Sequence, residues 1–276
     1  MTLIRVAHSP DSDDAFMFYA LAKGLIDTGD YDFEHVLSDI ETLNLEAHSG
    51  TYEVTAVSIH AYAYLDERYG LLASGASMGD GYGPVLVARE PIPADRLGSI
   101  RVAIPGTLTS AALALKMWNP SLNTTVLSFD AVGPAVEAGD VDAGVIIHEG
   151  QLTWQDEGFT KLVDLGEWWA GETDGLPLPL GGNVVRRDLG DRAMVEVARL
   201  LKESIVYSLE NREPALDYAL AYGRGLARDK ADRFVGMYVN DLTVDYGERG
   251  REGMRVFLDR AYAERLIPKV PKLDFI

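Results

Sequence analysis

The stretch Val141-Asp142-Ala143-Gly144-Val145-Ile146-Ile147-His148-Glu149-Gly150 carries an unbroken apolar run directly into an imidazole and a carboxylate. A strand that is covered on both faces of a parallel sheet has such a run rather than an alternation. Open α/β sheets bind ligands beyond the carboxyl ends of their strands. At such an end, an imidazole with an unperturbed pKa of about 6.5 can exchange a proton near neutrality. His148 is therefore a candidate catalytic residue, and a core histidine bonded to a backbone carbonyl is the structural alternative.

The composition is that of a globular protein with a sizeable core and a strongly acidic surface. The 276 residues are 47% hydrophobic and carry a formal net charge of -18. We expect no nucleic-acid or membrane partner, because both need a basic face and no Lys/Arg cluster occurs. Cysteine is absent, which excludes disulfides and thiolate chemistry. The first residues resemble neither a signal peptide nor an anchor, which predicts a cytoplasmic protein.

Two strand-turn-helix segments and one strand end supply polar candidates. Asp11, Asp13 and Asp14 exceed what helix capping needs, so we expect one of them, above all Asp14, to face a site; caps by Ser12 or Asp13 are the alternative. Ser58 ends a short strand and is either a ligand-binding residue or, more commonly, a helix N-cap.

Thr109 and Ser110 stand at the predicted start of a helix. Free backbone N–H groups and two hydroxyls at that position can hold a carboxylate without Arg or Lys, and ordinary capping is again the alternative. The chain contains no P-loop motif, and the His148 segment has Leu152 where a zinc-protease helix would place its second histidine. We expect neither a bound nucleotide nor a metal.

The order of the elements predicts two α/β lobes with a ligand cleft between them. Residues 1–91 plus 180–276 form the larger, discontinuous lobe, and 95–175 form the smaller one. The chain crosses between them near the linkers 90–95 and 171–182. The whole segment 166–182 is rich in Gly, Pro and Trp and is predicted to be part of the return linker. The last third is helical, with apolar residues at helical spacing predicted for the core, including Val195 and Leu200. Such lobes close around a small ligand by hinge motion.

Motifs spread along nearly the whole chain resemble one family. They are Ser9-Pro10 to Phe18, Asp39-Ile40-Glu41-Thr42-Leu43-Asn44, Ser58 with Ala61-Tyr62-Ala63, Gly83-Pro84, Pro105-Gly106 to Thr109-Ser110, Ile146-Ile147-His148-Glu149, Val163 to Gly166 with Trp168-Trp169, and Leu176 to Gly181. On these motifs the chain resembles the menaquinone-biosynthesis enzymes of the futalosine pathway, of the 1,4-dihydroxy-6-naphthoate synthase type. The resemblance implies a type II periplasmic-binding-protein-like α/β fold.

The resemblance also implies a reaction and a set of site residues. The small anionic substrate would be cyclic dehypoxanthinyl futalosine, cleaved to 1,4-dihydroxy-6-naphthoate with loss of the sugar-derived fragment and without a cofactor. His148 matches the catalytic proton acceptor. Asp14 matches a cleft-facing position, where we expect it to orient or protonate an oxygen of the leaving fragment. The substrate-binding positions so implied are Ala56, Val57, Ser58, Thr109 and Ser110.

The chain departs from the family pattern at the first turn. The usual opening is Ser-Pro-Cys-Pro-Asn-Asp-Thr-Phe, whereas Asp11, Ser12, Asp13 and Ala15 replace its Cys, Pro, Asn and Thr. Ala56 also stands where some members carry lysine, so the pocket is more negative. A chorismate dehydratase-type sister enzyme and a non-catalytic small-carboxylate-binding protein are the alternatives, the second disfavoured by the missing export signal. The assembly is left open between a monomer and a homodimer.

Overall fold

Two β-sheets organise the computed structural model, which describes residues 1–223 and 225–276. The strands are β1 (Thr2–His8), β2 (Tyr31–Leu37), β3 (Val54–Ser58), β4 (Tyr69–Leu71), β5 (Ser77–Gly79), β6 (Val85–Ala88), β7 (Arg101–Ile104), β8 (Asn123–Val126), β9 (Ala143–Ile146), β10 (Thr160–Asp164) and β11 (Leu178–Arg186). The helices are α1 (Ser12–Met17), α2 (Tyr19–Ala22), α3 (Ile40–Ser49), α4 (Ile59–Tyr62), α5 (Ser110–Trp118), α6 (Phe129–Ala138), α7 (Leu165–Glu172), α8 (Asp191–Glu210), α9 (Arg212–Ala219), α10 (Arg228–Tyr238), α11 (Asp241–Val244) and α12 (Gly247–Ala263).

The first sheet has the order β2-β1-β3-β11-β4, and β5 also pairs with β11. Strand β1 runs parallel to both β2 and β3, whereas β11 runs antiparallel to β3. The carboxyl ends of β1 and β3 therefore lie at the same edge of the sheet. Ser9 follows β1 at this edge, and Ser58 ends β3 there.

The second sheet has the order β10-β6-β9-β7-β8. Strand β9 is parallel to β7 and antiparallel to β6, and all four of its residues are buried. A Cβ added at Gly144 would lie 2.5 Å from Val132 and 2.9 Å from Val136. Glycine thus lets α6 pack directly on β9, and the buried strand predicted from its Val/Ile run is present.

The sheet to which each strand belongs shows where the chain passes from one sheet to the other. Val85–Ala88 pairs with β9 and β10 of the second sheet, although the sequence placed it in the larger lobe. This favours a first crossing between Gly79 and Val85 rather than near 90–95. The return passage, between Glu172 and Leu178, falls inside the expected interval 171–182. The lobe limits themselves stay a prediction.

Two local expectations were wrong. Gly166–Glu172, which the sequence placed in a Gly/Pro/Trp-rich linker, belongs to α7 because the Asp164 side chain accepts hydrogen bonds from the first-turn N–H groups of Gly166 and Glu167. Val195 was predicted in the core but is 62% exposed on α8, whereas Leu200 is fully buried.

In the described part of the chain, no helix is long and apolar enough to cross a membrane.

Candidate active site

One cleft collects strand ends from both sheets and has an empty volume of about 710 Å³, part of it open to solvent. The residues predicted from the sequence all lie in its wall: Asp14, Ala56, Val57, Ser58, Thr109, Ser110 and His148. Residues that the sequence did not single out join them, among them Gln151, Asn183, Phe234 and Tyr238. The roles of the predicted residues stay predictions, but the fold brings them to one place.

His148 follows β9 in an unusual backbone conformation. Its φ of 54° lies in the left-handed region, which costs energy for a residue with a side chain and is often found at functional sites. Its Nδ1 lies 2.9 Å from Oδ2 of Asp11, and the Phe129 ring packs edge-on with the ring centroids 5.2 Å apart. An imidazole that donates Nδ1–H to a carboxylate carries its lone pair on Nε2, which suits a base.

The partner of His148 in the acidic turn is Asp11 rather than Asp14. Oδ2 of Asp14 accepts a hydrogen bond from the backbone N–H of Ser9 at 2.8 Å. The predicted caps by Ser12 or Asp13 were wrong, because α1 begins after Asp11 and no side chain caps it. Ser12 instead donates through its backbone N–H and its hydroxyl to Oε1 of Glu149, at 3.1 and 3.0 Å.

The turn before α1 brings several carboxyl groups together in a buried place. Burial, and next the nearby Asp11, raise the pKa of Asp13 and of Asp14 well above the ordinary value. Glu149 adds to both shifts, while the N–H of Ser9 opposes the shift of Asp14. Among the described residues that line the cleft, none is Lys or Arg. The described wall therefore offers an anionic ligand mainly neutral hydrogen-bond donors.

Ser58 is fixed by a buried amide rather than acting as a side-chain cap. Asn44, which is fully buried on α3, accepts from the Ser58 N–H at 2.8 Å and donates to its hydroxyl at 3.1 Å. Ser58 does occupy the N-cap position of α4, as the more common alternative predicted, but its side chain makes no capping bond there. Asn44 belongs to the quoted Asp39–Asn44 motif, but its position on a helix face did not indicate this contact.

Both hydroxyls at the start of α5 hold local structure. Thr109 accepts from the N–H of Ala112 at 3.2 Å and donates to the carbonyl of Gly106 at 3.0 Å, as the capping alternative predicts. Ser110 donates to the carbonyl of Leu180 at 2.6 Å and accepts from the N–H of His60 at 3.2 Å. Ser110 thus ties α5, which follows β7 of the second sheet in the chain, to β11 of the first.

A tyrosine and a glutamine form a second polar pair in the wall. The hydroxyl of Tyr238 on α10 donates to Oε1 of Gln151 at 2.6 Å. Burial raises the pKa of Tyr238 well above its usual value, so this hydroxyl keeps its proton. Gln151 lies three residues after His148, which was the only sequence signal for it, and Tyr238 had none. Within residues 1–223 and 225–276, no group of three or more His, Cys, Asp or Glu is arranged to hold a metal ion.

The sequence matches one protein family over most of its length. A family model described as menaquinone biosynthesis matches residues 4–263. The 1,4-dihydroxy-6-naphthoate synthase of Thermus thermophilus is 38% identical over 276 residues, covering 100% of both chains. The enzyme of that name from Streptomyces coelicolor is 35% identical over 271 residues, or 96% of this chain and 95% of its own.

Solved structures agree with the predicted fold. A crystal structure of a protein from Archaeoglobus fulgidus is 47% identical with a TM-score of 0.92, covering 96% of this chain and 98% of that one. The alkanesulfonate-binding protein SsuA of Xanthomonas axonopodis pv. citri, bound to MOPS, has a TM-score of 0.70 at 16% identity, covering 98% and 96%. The second likeness concerns the fold alone, and it confirms the predicted periplasmic-binding-protein-like architecture.

Proposed function

This chain belongs to the menaquinone biosynthesis family, and on that premise we propose that it is a 1,4-dihydroxy-6-naphthoate synthase with His148 as its base. The substrate would be cyclic dehypoxanthinyl futalosine, and the products the naphthoate and the sugar-derived fragment. The assignment of His148 as the base is supported by the contact between its Nδ1 and Asp11 in the wall of the cleft. That contact gives the imidazole a defined orientation and a negative partner.

The proposed reaction begins with proton removal by Nε2 of His148 from a position next to a ketone. The Asp11 carboxylate accepts the Nδ1–H bond and stabilises the imidazolium that forms. Cleavage of a carbon–carbon bond follows, and formation of the aromatic product supplies driving force. Asp14 is the second catalytic candidate, because a carboxyl with a raised pKa can protonate or orient an oxygen of the leaving fragment.

The substrate carboxylate would bind at the start of α5. The hydroxyls of Thr109 and Ser110 are engaged in local bonds, so the backbone N–H groups of the first turn would be the main donors. The positive end of the helix dipole supports an anion there without a cationic side chain. Opposite this turn, we propose that the end of β3 contacts the bicyclic part of the substrate through Ala56, Val57 and Ser58.

The experiment gives the purified protein cyclic dehypoxanthinyl futalosine under anaerobic conditions, without added metal or nucleotide, and follows the naphthoate by chromatography and mass. Naphthoate formation supports the proposed activity. Dehydration of chorismate in a parallel sample, with no naphthoate, would assign the sister activity instead. Binding of the futalosine derivative without turnover would favour the carboxylate-binding protein. A cytoplasmic location stays a prediction from the sequence, and the assembly stays either a monomer or a homodimer.

A further inference from the structure

A buried amide in the wall of the cleft uses only one of its two polar atoms. Asn183 of β11 lines the cleft and is 1% exposed, and its Nδ2 donates to the carbonyl of Gly75 at 3.1 Å. Its Oδ1 is also buried, yet within residues 1–223 and 225–276 it has no hydrogen-bond partner. A buried acceptor without a donor costs free energy, so its presence in a ligand cleft needs an explanation.

The second buried amide near the cleft, Asn44, shows how an asparagine with a purely structural role is bonded. Its Oδ1 accepts from the backbone N–H of Ser58, and its Nδ2 donates to the hydroxyl of the same residue, so both polar atoms are used. Asn183 has the structural contact of its nitrogen but, among the described residues, no contact of its oxygen. The contrast identifies Oδ1 of Asn183 as an acceptor that the fold itself does not use.

The register of the first sheet places Asn183 beside residues already proposed to bind the substrate. In the antiparallel pair of β11 and β3, Asn183 lies opposite Ala56, and Gly181 lies opposite Ser58. Side chains that are directly opposite each other in an antiparallel pair project from the same face of the sheet. The side chains of Asn183, Ala56 and Ser58 therefore share one face, and all three residues line the cleft.

The loop that contains Gly75 fixes the direction of the amide. A Cβ added at Gly75 would lie 2.3 Å from Nδ2 of Asn183, and the φ of 82° also favours glycine at this position. The N–H of Gly75 in turn donates to the carbonyl of the buried Thr243 at 2.7 Å, which anchors the loop. Because Nδ2 is held against this loop, Oδ1 on the other branch of the amide faces away from it.

The chemistry of an amide oxygen restricts what it can bind. It accepts hydrogen bonds and cannot donate them, so it does not suit a ketone oxygen or a carboxylate, which are acceptors as well. It suits a hydroxyl, which donates. Ser77 on the adjoining strand β5 pairs with Gly181 and also lines the cleft, so it adds a second polar group to the same wall. A ligand part that carries hydroxyls fits this wall best.

We propose that Asn183 is a substrate-binding residue whose Oδ1 accepts a hydrogen bond from a hydroxyl of the sugar-derived part of the substrate. This inference rests on the proposed function, which supplies the substrate. The contact gives the buried acceptor its partner only when the ligand is bound, so binding removes a cost that the free protein carries. Asn183 thereby determines specificity, because an analogue without that hydroxyl leaves the acceptor unpaired.

The first test measures the preference for the hydroxyl as a ratio of kcat/KM values. The parent compound, cyclic dehypoxanthinyl futalosine, is compared with analogues that each lack one hydroxyl of the sugar-derived part. The wild type should prefer the parent over one of these analogues about tenfold or more. In Asn183→Leu, which has a side chain of similar size without an acceptor, the two values should lie within about threefold of each other.

Two further variants separate the acceptor from other effects of substitution. Asn183→Asp keeps an acceptor oxygen, so its preference should stay within about threefold of the wild type, although its charge weakens the binding of both anionic compounds. Asn211→Leu is the control, since the Asn211 amide donates to the carbonyl of Tyr207 and the residue does not line the cleft. It should keep the wild-type preference.

The second test measures stability without a ligand. Asn183→Leu removes one used hydrogen bond together with an unpaired acceptor, whereas Asn44→Leu removes two used polar atoms. The urea midpoint should therefore fall less in Asn183→Leu than in Asn44→Leu. An equal or larger fall in Asn183→Leu would overturn the proposal, because it would show that Oδ1 already has a partner, such as a buried water, in the free protein.

The outcomes separate this inference from the proposed function. Naphthoate formation with an unchanged hydroxyl preference in Asn183→Leu, or with no such preference in the wild type, would reject the role of Asn183 and leave the function standing. Binding of the parent compound without turnover would reject the function, and the ratio of dissociation constants from calorimetry would then decide the role of Asn183. If Asn183→Leu does not fold, Asn183→Ala takes its place with the same expected loss of preference.

Discussion

The Glu41 carboxylate accepts a hydrogen bond from the backbone N–H of Thr107 at 2.7 Å, and this contact joins the two sides of the cleft. Glu41 belongs to α3, which packs on the first sheet, whereas Thr107 follows β7 of the second. The same carboxylate accepts from the Thr107 hydroxyl at 3.0 Å and from the N–H of Leu108 at 3.2 Å. These bonds form only when the two sides are close, so they favour the closed cleft.

Replacement of Glu41 by alanine should raise KM about three- to tenfold and change kcat less. The reason is that an open cleft binds weakly, and loss of the contact lowers the fraction of molecules in the closed form. Steady-state kinetics with the naphthoate assay measures both constants. Glu137→Ala, which removes an exposed carboxylate from α6, is the control. Equal KM values in both variants would show that Glu41 does not stabilise closure.

Replacement of Asn44 by alanine should lower the free energy of unfolding by about 2 kcal/mol. The change leaves the buried N–H and hydroxyl of Ser58 without their partner, and it also opens a small cavity beside β3. Urea denaturation measures the effect. The exposed Asn123→Ala on β8 should stay within about 0.5 kcal/mol of the wild type. A loss no larger than that of the control would show that water replaces Asn44 at little cost.

Acid should destabilise the protein through a buried histidine pair. Nε2 of His8 lies 3.2 Å from Nδ1 of His35, and burial lowers the pKa of each to about 4. The unfolded chain, with histidine pKa values of about 6.5, binds more protons between these limits, so the free energy of unfolding falls as the pH drops through this window. Each histidine can contribute up to roughly 3 kcal/mol to the loss.

The comparison of variants isolates this effect from the opposite contribution of Asp13 and Asp14, whose raised pKa values favour the folded state at low pH. His35→Asn should lose less stability than the wild type between pH 7 and pH 4.5 in urea titrations. The exposed His48→Asn should behave as the wild type does. An identical loss in wild type and His35→Asn would remove the pair as the cause.

Strong local patterns made parts of the fold predictable. The last third of the chain, which the sequence predicted to be helical, contains the long helix α8 at Asp191–Glu210. Helix α7 was missed because its glycines and tryptophans resemble a linker, while its stability comes from the Asp164 cap and from burial of Trp169. The sheet to which β6 belongs was missed because the partners of a strand leave no mark in its own sequence.

In the candidate site, too, the local sequence predicts some residues, whereas others depend on contacts between distant parts of the chain. His148 and Ser58 could be predicted because each ends a strand, a property of the local sequence. The contact between Asp11 and His148 could not, because it joins the turn after β1 of one sheet to the turn after β9 of the other. Ser12 and Glu149, which bond beside it, lie 137 positions apart. Tyr238 reaches the cleft only through the packing of α10.

The most direct test of the account compares wild type with His148→Asn on cyclic dehypoxanthinyl futalosine. Asparagine tolerates the left-handed backbone at this position and can still bond to Asp11, but it cannot act as a base. We predict that the wild type forms 1,4-dihydroxy-6-naphthoate and that kcat of the variant falls about 100-fold or more, while calorimetry shows substrate binding within a few-fold of the wild type. Naphthoate formation by His148→Asn at the wild-type rate would contradict the assignment of His148 as the base.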